Sequence, residues 1–83
     1  MNTIGKILRQ YRLSQQKTIE DISHITKIKQ GFIKAIEDEK WSSLPEFTVV
    51  TGFVKNISSA LGADPSKLVA LLRRDYPPLL QKT

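Results

Sequence analysis

The chain has 83 residues, 40% of them apolar, which is enough for one small domain with a single core. It contains no cysteine, so disulfides, thiolate metal sites and a cysteine nucleophile are excluded. The net charge of +5 sits in residues 1–34, where seven basic residues face two acidic ones, while residues 35–83 balance six against six. A basic half in so small a domain points to an anionic partner, either nucleic acid or an acidic protein surface.

The pattern is helical along almost the whole chain. Thr3 is placed to cap a first helix over residues 3–15, with Ile4, Ile7, Leu8 and Tyr11 along one stripe. Thr18 opens a second helix, residues 18–26, and Asp21 three places on completes a capping-box pair. Its buried stripe is expected to be Ile19, Ile22 and Ile25. Lys27-Ile28-Lys29 makes a tight connection with Ile28 in the core, and a third helix spans 29–38 with Phe32, Ile33 and Ile36 inward.

Trp41 and Leu44-Pro45 anchor the next turn. A fourth helix over 46–61 buries Phe47, Val50, Val54, Ile57 and Leu61, and Gly62 ends it. Gly52 is expected to let another helix approach closely. Asp64-Pro65 supplies an N-cap and a first-turn proline for a fifth helix over 64–75, whose Leu68, Leu71 and Leu72 face inward. Tyr76-Pro77-Pro78 stops it. The reading is therefore an all-α, five-helix bundle containing a helix-turn-helix, with a domain over 1–75 and a tail over 76–83. Ile22, Ile33, Ile36, Trp41, Leu44, Val54, Ile57 and Leu61 form the expected core.

The residues give catalysis no support. His24 is the single histidine and stands on a polar helix face without a second ligand. Glu37-Asp38-Glu39 lacks the glycine turn and spacing of a calcium loop and reads as a solvated helix end. No glycine-rich phosphate loop is present, and Asn56-Ile57-Ser58 is a chance match to a glycosylation triplet inside a helix. No enzyme, cofactor, metal or small-molecule substrate is expected. MNTIGKILRQ has no apolar core of a signal peptide, and no apolar run has membrane length, so a cytoplasmic location is expected.

The stretch TIEDISHITKIKQGFIKAIEDEKWSSLP resembles the helix-turn-helix of the Xre/Cro-type superfamily. More narrowly, the chain is similar to the N-terminal cytoplasmic domain of the RodZ-like family. The likeness is carried by IGKILRQYR, by Thr26-Lys27-Ile28, and by Ile33, Ala35, Ile36 and Glu37. Trp41 with Ser43-Leu44-Pro45, then Thr51-Gly52-Phe53, then Leu61-Gly62-Ala63-Asp64-Pro65 extend it over residues 4–74. The resemblance implies a domain that binds the bacterial actin MreB through its fourth helix and links it to the membrane for cell-shape control. A membrane connection requires a spanning segment after residue 83.

Two candidate surfaces follow. The resemblance places partner-protein binding at Phe53, with Val49, Ile57 and Lys55 around it. Ile57 stands where the family usually has tyrosine, and Thr51 and Ser59 stand where arginines are common. MreB is the favoured partner on this reading. The alternative is an Xre/Cro-type transcriptional regulator that binds DNA weakly or non-specifically through Lys27, Lys29, Gln30 and Lys34. Lysine to guanine and glutamine to adenine are sound base pairings. The resemblance also marks two departures from DNA-binding members: Ile19 replaces a phosphate-contacting glutamine, and Phe32 replaces a small polar residue.

Overall fold

A computed structural model describes residues 2–81 of the chain. Lys82 and Thr83, the end of the expected tail, lie outside the described residues. The helices are α1 (Ile4–Ser14), α2 (Ile19–Thr26), α3 (Gln30–Glu37), α4 (Phe47–Ala60) and α5 (Pro65–Asp75). Short 3₁₀ turns occupy Trp41–Ser43 and Pro78–Leu80. The fold is all-α, with no strand among the described residues. TVVTGFV is helical despite its β-branched content, because Val50 and Val54 share the buried face of α4.

The core gathers one face from every helix: Ile4 and Leu8, Ile22, Ile33 and Ile36, then Val50, Val54 and Ile57, then Leu68 and Leu72. Ile28 fills the gap under the α2–α3 turn. Helix α4 packs chiefly on α5 and also touches α2, while α3 rests on α1 and α2. Gly62, at φ 71, takes the left-handed position that ends α4. Asp64 caps α5 by accepting from the N–H groups of Ser66 and Lys67. The Thr18–Asp21 capping box is present in full.

Several expectations need correction. Ile25 and Tyr11 are exposed rather than buried, because each lies at the edge of its stripe. Trp41 and Leu44 are only partly buried against the core. Thr3 occupies the N-cap of α1, but its hydroxyl makes no capping bond. Carboxylates from distant parts of the chain do that work: Asp75 accepts from Ile4 N–H at 2.7 Å and Glu39 from Gly5 N–H at 2.9 Å. Arg74 in turn donates to Asp75 at 2.8 Å and to the Asn2 carbonyl at 2.9 Å.

The close-approach glycine is Gly5, not Gly52. A Cβ on Gly5 would stand 2.5 Å from the Glu37 carbonyl oxygen, whereas one on Gly52 would meet nothing within 4 Å. The α1–α3 crossing passes at Gly5.

Glu37 is not a solvated helix end. Its carboxylate takes two bonds from the Arg12 guanidinium, at 2.7 and 2.9 Å, and both side chains are about nine-tenths buried (10% and 7% exposed). Arg12 also donates to the Lys17 carbonyl at 2.9 Å, tying α1, the α1–α2 connection and α3 together. Hydrogen bonding to Glu37 raises the Arg12 pKa against the opposing effect of burial.

Tyr76, expected to begin the tail, belongs to the core. Its ring lies 4.8 Å from both Trp41 and Phe47, centroid to centroid, and burial pushes its phenol pKa upward. The chain beyond it folds back, and the Gln81 amide donates to the carbonyls of Arg73 and Tyr76.

Candidate nucleic-acid interface

The turn between α2 and α3 is fixed from within. Lys27 N–H donates to the Ser23 carbonyl at 2.8 Å, ending α2. Ile28 is then held on three sides: its side chain enters the core, its N–H donates to Thr26 Oγ1 at 3.3 Å, and its carbonyl accepts from the Ser23 hydroxyl. Lys27 and Lys29 flank this pinned residue and are both exposed. The tight connection is therefore a rigid mount for two ammonium groups.

On α3, each residue turns by about 100°. Gln30, Gly31, Lys34 and the following Asp38 fall within one quadrant and are exposed. Ile33, Ala35, Ile36 and Glu37 close the rest of the circle against α1 and α2. Gly31 offers open space above its Cα, so a large ligand can come near the α3 backbone there. Lys34 Nζ lies 3.3 Å from Asp38 Oδ2, one helical turn on. That exposed pair is weak and solvent-screened, so Lys34 is available to a stronger anion.

The starts of α2 and α3 differ in charge. The positive end of the α2 dipole is already compensated by Glu20 and Asp21. Accepting the Thr18 backbone N–H, with its hydroxyl bond in support, holds Asp21 below the usual carboxylate range. At the start of α3 no acidic residue lies in the first turn and no side chain caps the helix. Lys27, Lys29, Gln30 and Lys34 are all exposed, on α3 and in the turn just before it.

The second candidate surface does not assemble as expected. Ile57 is 3% exposed and belongs to the core, so it is not a surface contact. Lys55 lies about 160° around α4 from Phe53, by the same step, and faces away from it. Phe53 is partly buried, stacked on Phe32 with ring centroids 5.5 Å apart and planes 25° from parallel. The same stack turns Phe32 towards α4 and away from the open quadrant of α3. Val49 remains, 42% exposed, beside Phe53 on a strip that continues to Ala60. Ile25, 53% exposed, borders a shallow groove with Thr26, Asn56, Ser59 and Ala60.

Ile19 is partly buried against the core, so the departure at that position is structural as well as chemical. His24 is exposed, and no group of three or more metal-ligating side chains is clustered among the described residues. None of their helices is long and apolar enough to cross a membrane.

Reading the sequence for apolar stripes missed five supporting residues. Arg12 follows Ile4 and Leu8 at steps of four, so its spacing already put it on the buried face of α1. Glu37 follows Ile33 in the same way on α3. A buried-face position of each charge was the available signal for their pairing. Tyr76 extends the Leu68–Leu72 stripe by another four. The caps from Asp75 and Glu39 join residues 71 and 34 positions apart, and no local pattern reveals them.

A family model described as a helix-turn-helix domain matches residues 7–68. No curated protein sequence matches the chain. Among solved structures, YmfM from Staphylococcus aureus, described as a candidate DNA-binding membrane protein, superposes with a TM-score of 0.84. It is 24% identical, and the match covers 92% of this chain and 93% of that one. That likeness establishes the shared fold. The family match covers most of the chain, and the chain belongs to the helix-turn-helix domain family.

Proposed function

We propose that this helix-turn-helix family member is a cytoplasmic, non-enzymatic module that binds duplex DNA with α3 and the turn before it. The observation that carries the reading is the contrast between the two helix starts: α2 is acid-capped, while α3 is uncapped and flanked by Lys27 and Lys29. Phosphates are attracted to such a helix end and to fixed ammonium groups. Membership of the family supports the reading, as does the description of YmfM as a DNA-binding candidate.

Base reading is limited on this surface. Gln30 and Lys34 are the only α3 side chains in the open quadrant, and the following Asp38 places an acid beside Lys34. Binding is therefore mostly to the phosphate backbone, with weak sequence preference. The test is a titration of labelled duplexes at several salt concentrations. Affinity should fall steeply with salt and vary little between unrelated sequences. Salt-independent binding, or no binding at low salt, would reject the proposal.

A second reading is kept because Val49 is exposed beside the partly exposed Phe53. It assigns a protein partner, MreB by resemblance, to the apolar strip of α4, with Val49 and Phe53 as its contacts in place of the original four. Phe53→Ser, combined with a melting measurement, tests it. Loss of filament co-sedimentation with an intact fold supports this reading, and retained binding removes it.

A further inference from the structure

We propose that a lysine stands at the strained position 27 because its ammonium group contacts a DNA phosphate. The inference rests on the DNA reading of α3 and deepens it by assigning one residue a role and a conformational cost. Lys27 has φ 64 and ψ 19, the left-handed region. Residues with a Cβ are disfavoured there, and glycine is the usual occupant at the end of a helix. The chain uses glycine at another left-handed helix end, after α4, where Gly62 has φ 71.

Among the described residues, three with side chains take positive φ: Gln16, Lys27 and Glu39. Glu39 does work inside the fold, since its carboxylate accepts from Gly5 N–H. Lys27 forms no ion pair among the described residues, where the pairs are Arg12–Glu37, Lys34–Asp38 and Arg74–Asp75. The bonds from Ser23 and Thr26 that pin the turn impose the backbone angles at position 27. They impose the angles but not the lysine, since a glycine would satisfy all of them without strain. An exposed cation at an over-determined, unfavourable position beside an open electropositive surface marks a group kept for an external ligand. The turn holds its backbone still, so the charge is presented with little further loss of freedom on binding. The chemistry it fits is a single phosphate oxygen.

Gln16 supplies the control. It has the same kind of strain, at φ 57, but carries no charge. Lys27→Gly, Lys27→Arg and Gln16→Gly in the full chain should be compared by melting and by duplex binding across salt concentrations. Both glycine variants should melt higher, by roughly 2–6 °C, through relief of the left-handed strain. Lys27→Gly should bind about three- to tenfold more weakly at low salt, and its log–log salt slope should shrink by about 0.9, the loss of one phosphate contact. Lys27→Arg should keep wild-type affinity and slope, as should Gln16→Gly. The inference is overturned if Lys27→Gly binds like wild type, if Gln16→Gly loses as much affinity, or if Lys27→Gly melts lower. Failure of the wild-type chain to bind any duplex overturns the DNA reading itself. Unaltered binding by Lys27→Gly overturns only the assignment of Lys27.

Discussion

Helices α3 and α4 are both amphipathic, yet one leaves its polar arc open and the other closes most of its apolar arc. Helix α4 lies against α5 and α2, and these neighbours bury Ile57 and leave Phe53 only half open beside Phe32. Helix α3 rests on α1 and α2 along its inner side and leaves Gln30, Gly31 and Lys34 exposed. A hydrophobic residue off the centre of a helical stripe is therefore a poor guide to a docking site, because the next helix decides whether it is free. A charged residue outside the stripe is a better one, since burying it is costly unless it finds a partner. Arg12 and Glu37 lie on the stripes instead, and they are buried as a pair.

The two helices should respond differently to mutation because they are anchored differently. The C-terminal end of α3 is held by a buried ion pair. Arg12→Ala leaves the Glu37 carboxylate buried without its partner and should cost about 3–5 kcal/mol, enough to unfold much of so small a domain. Urea unfolding of this variant checks it. A loss under about 1 kcal/mol would mean the pair is solvated and the anchor misjudged.

Apolar packing holds α4, so overfilling it should be milder. Ile57→Tyr forces a larger side chain into a site that is 3% exposed and should cost about 1–3 kcal/mol. If position 57 instead lay on a partner surface, the same change would leave stability untouched and strengthen filament binding.

The two glycines sharpen the contrast. Gly5→Ala drives a methyl into the Glu37 carbonyl where α1 crosses α3, so its melting temperature should fall. Gly52→Ala meets open space inside α4 and should gain about 0.5–1 kcal/mol from helix propensity. Stabilisation by both, or by neither, would contradict the packing described.

The smallest effect is on pH. The bond from Arg74, with support from Ile4 N–H, holds the Asp75 carboxyl below its ordinary value. Its pKa is depressed on folding, so its contribution is fully present above the unfolded value of about 3.9 and is lost as pH falls through the lower folded value. Asp75→Asn should flatten the acid side of the stability profile in urea titrations between neutrality and pH 2. An unchanged profile would remove Asp75 from the account of how α1 is capped.

Most of the fold was legible in the sequence because its signals are local. Thr18 with Asp21, Asp64 with Pro65, and Gly62 each marked a helix boundary within a residue or two. The stripe of α4 named its buried apolar residues, and that of α5 named Leu68 and Leu72 but also the partly buried Leu71 in place of the buried Val69. The exposure of Lys27, Lys29, Gln30 and Lys34 was legible for the same reason, since they are close in sequence and outside every stripe. The α4 surface was not, because the burial of Ile57 and the Phe32–Phe53 stack depend on how separate helices meet. Gly5 was missed on the same ground: its neighbours, Glu37 and Glu39, lie more than thirty residues away.

The central claim is that the open surface of this domain is the α3 quadrant with its turn, and not the strip of α4. The direct measurement is a heteronuclear NMR titration of the labelled chain with a short duplex at low salt. Amide shifts should concentrate at Lys27, Lys29, Gln30, Gly31 and Lys34, while Val49, Phe53 and Ala60 stay in place. Shifts centred on Val49, Phe53 and Ala60, with residues 27–34 unmoved, would contradict it.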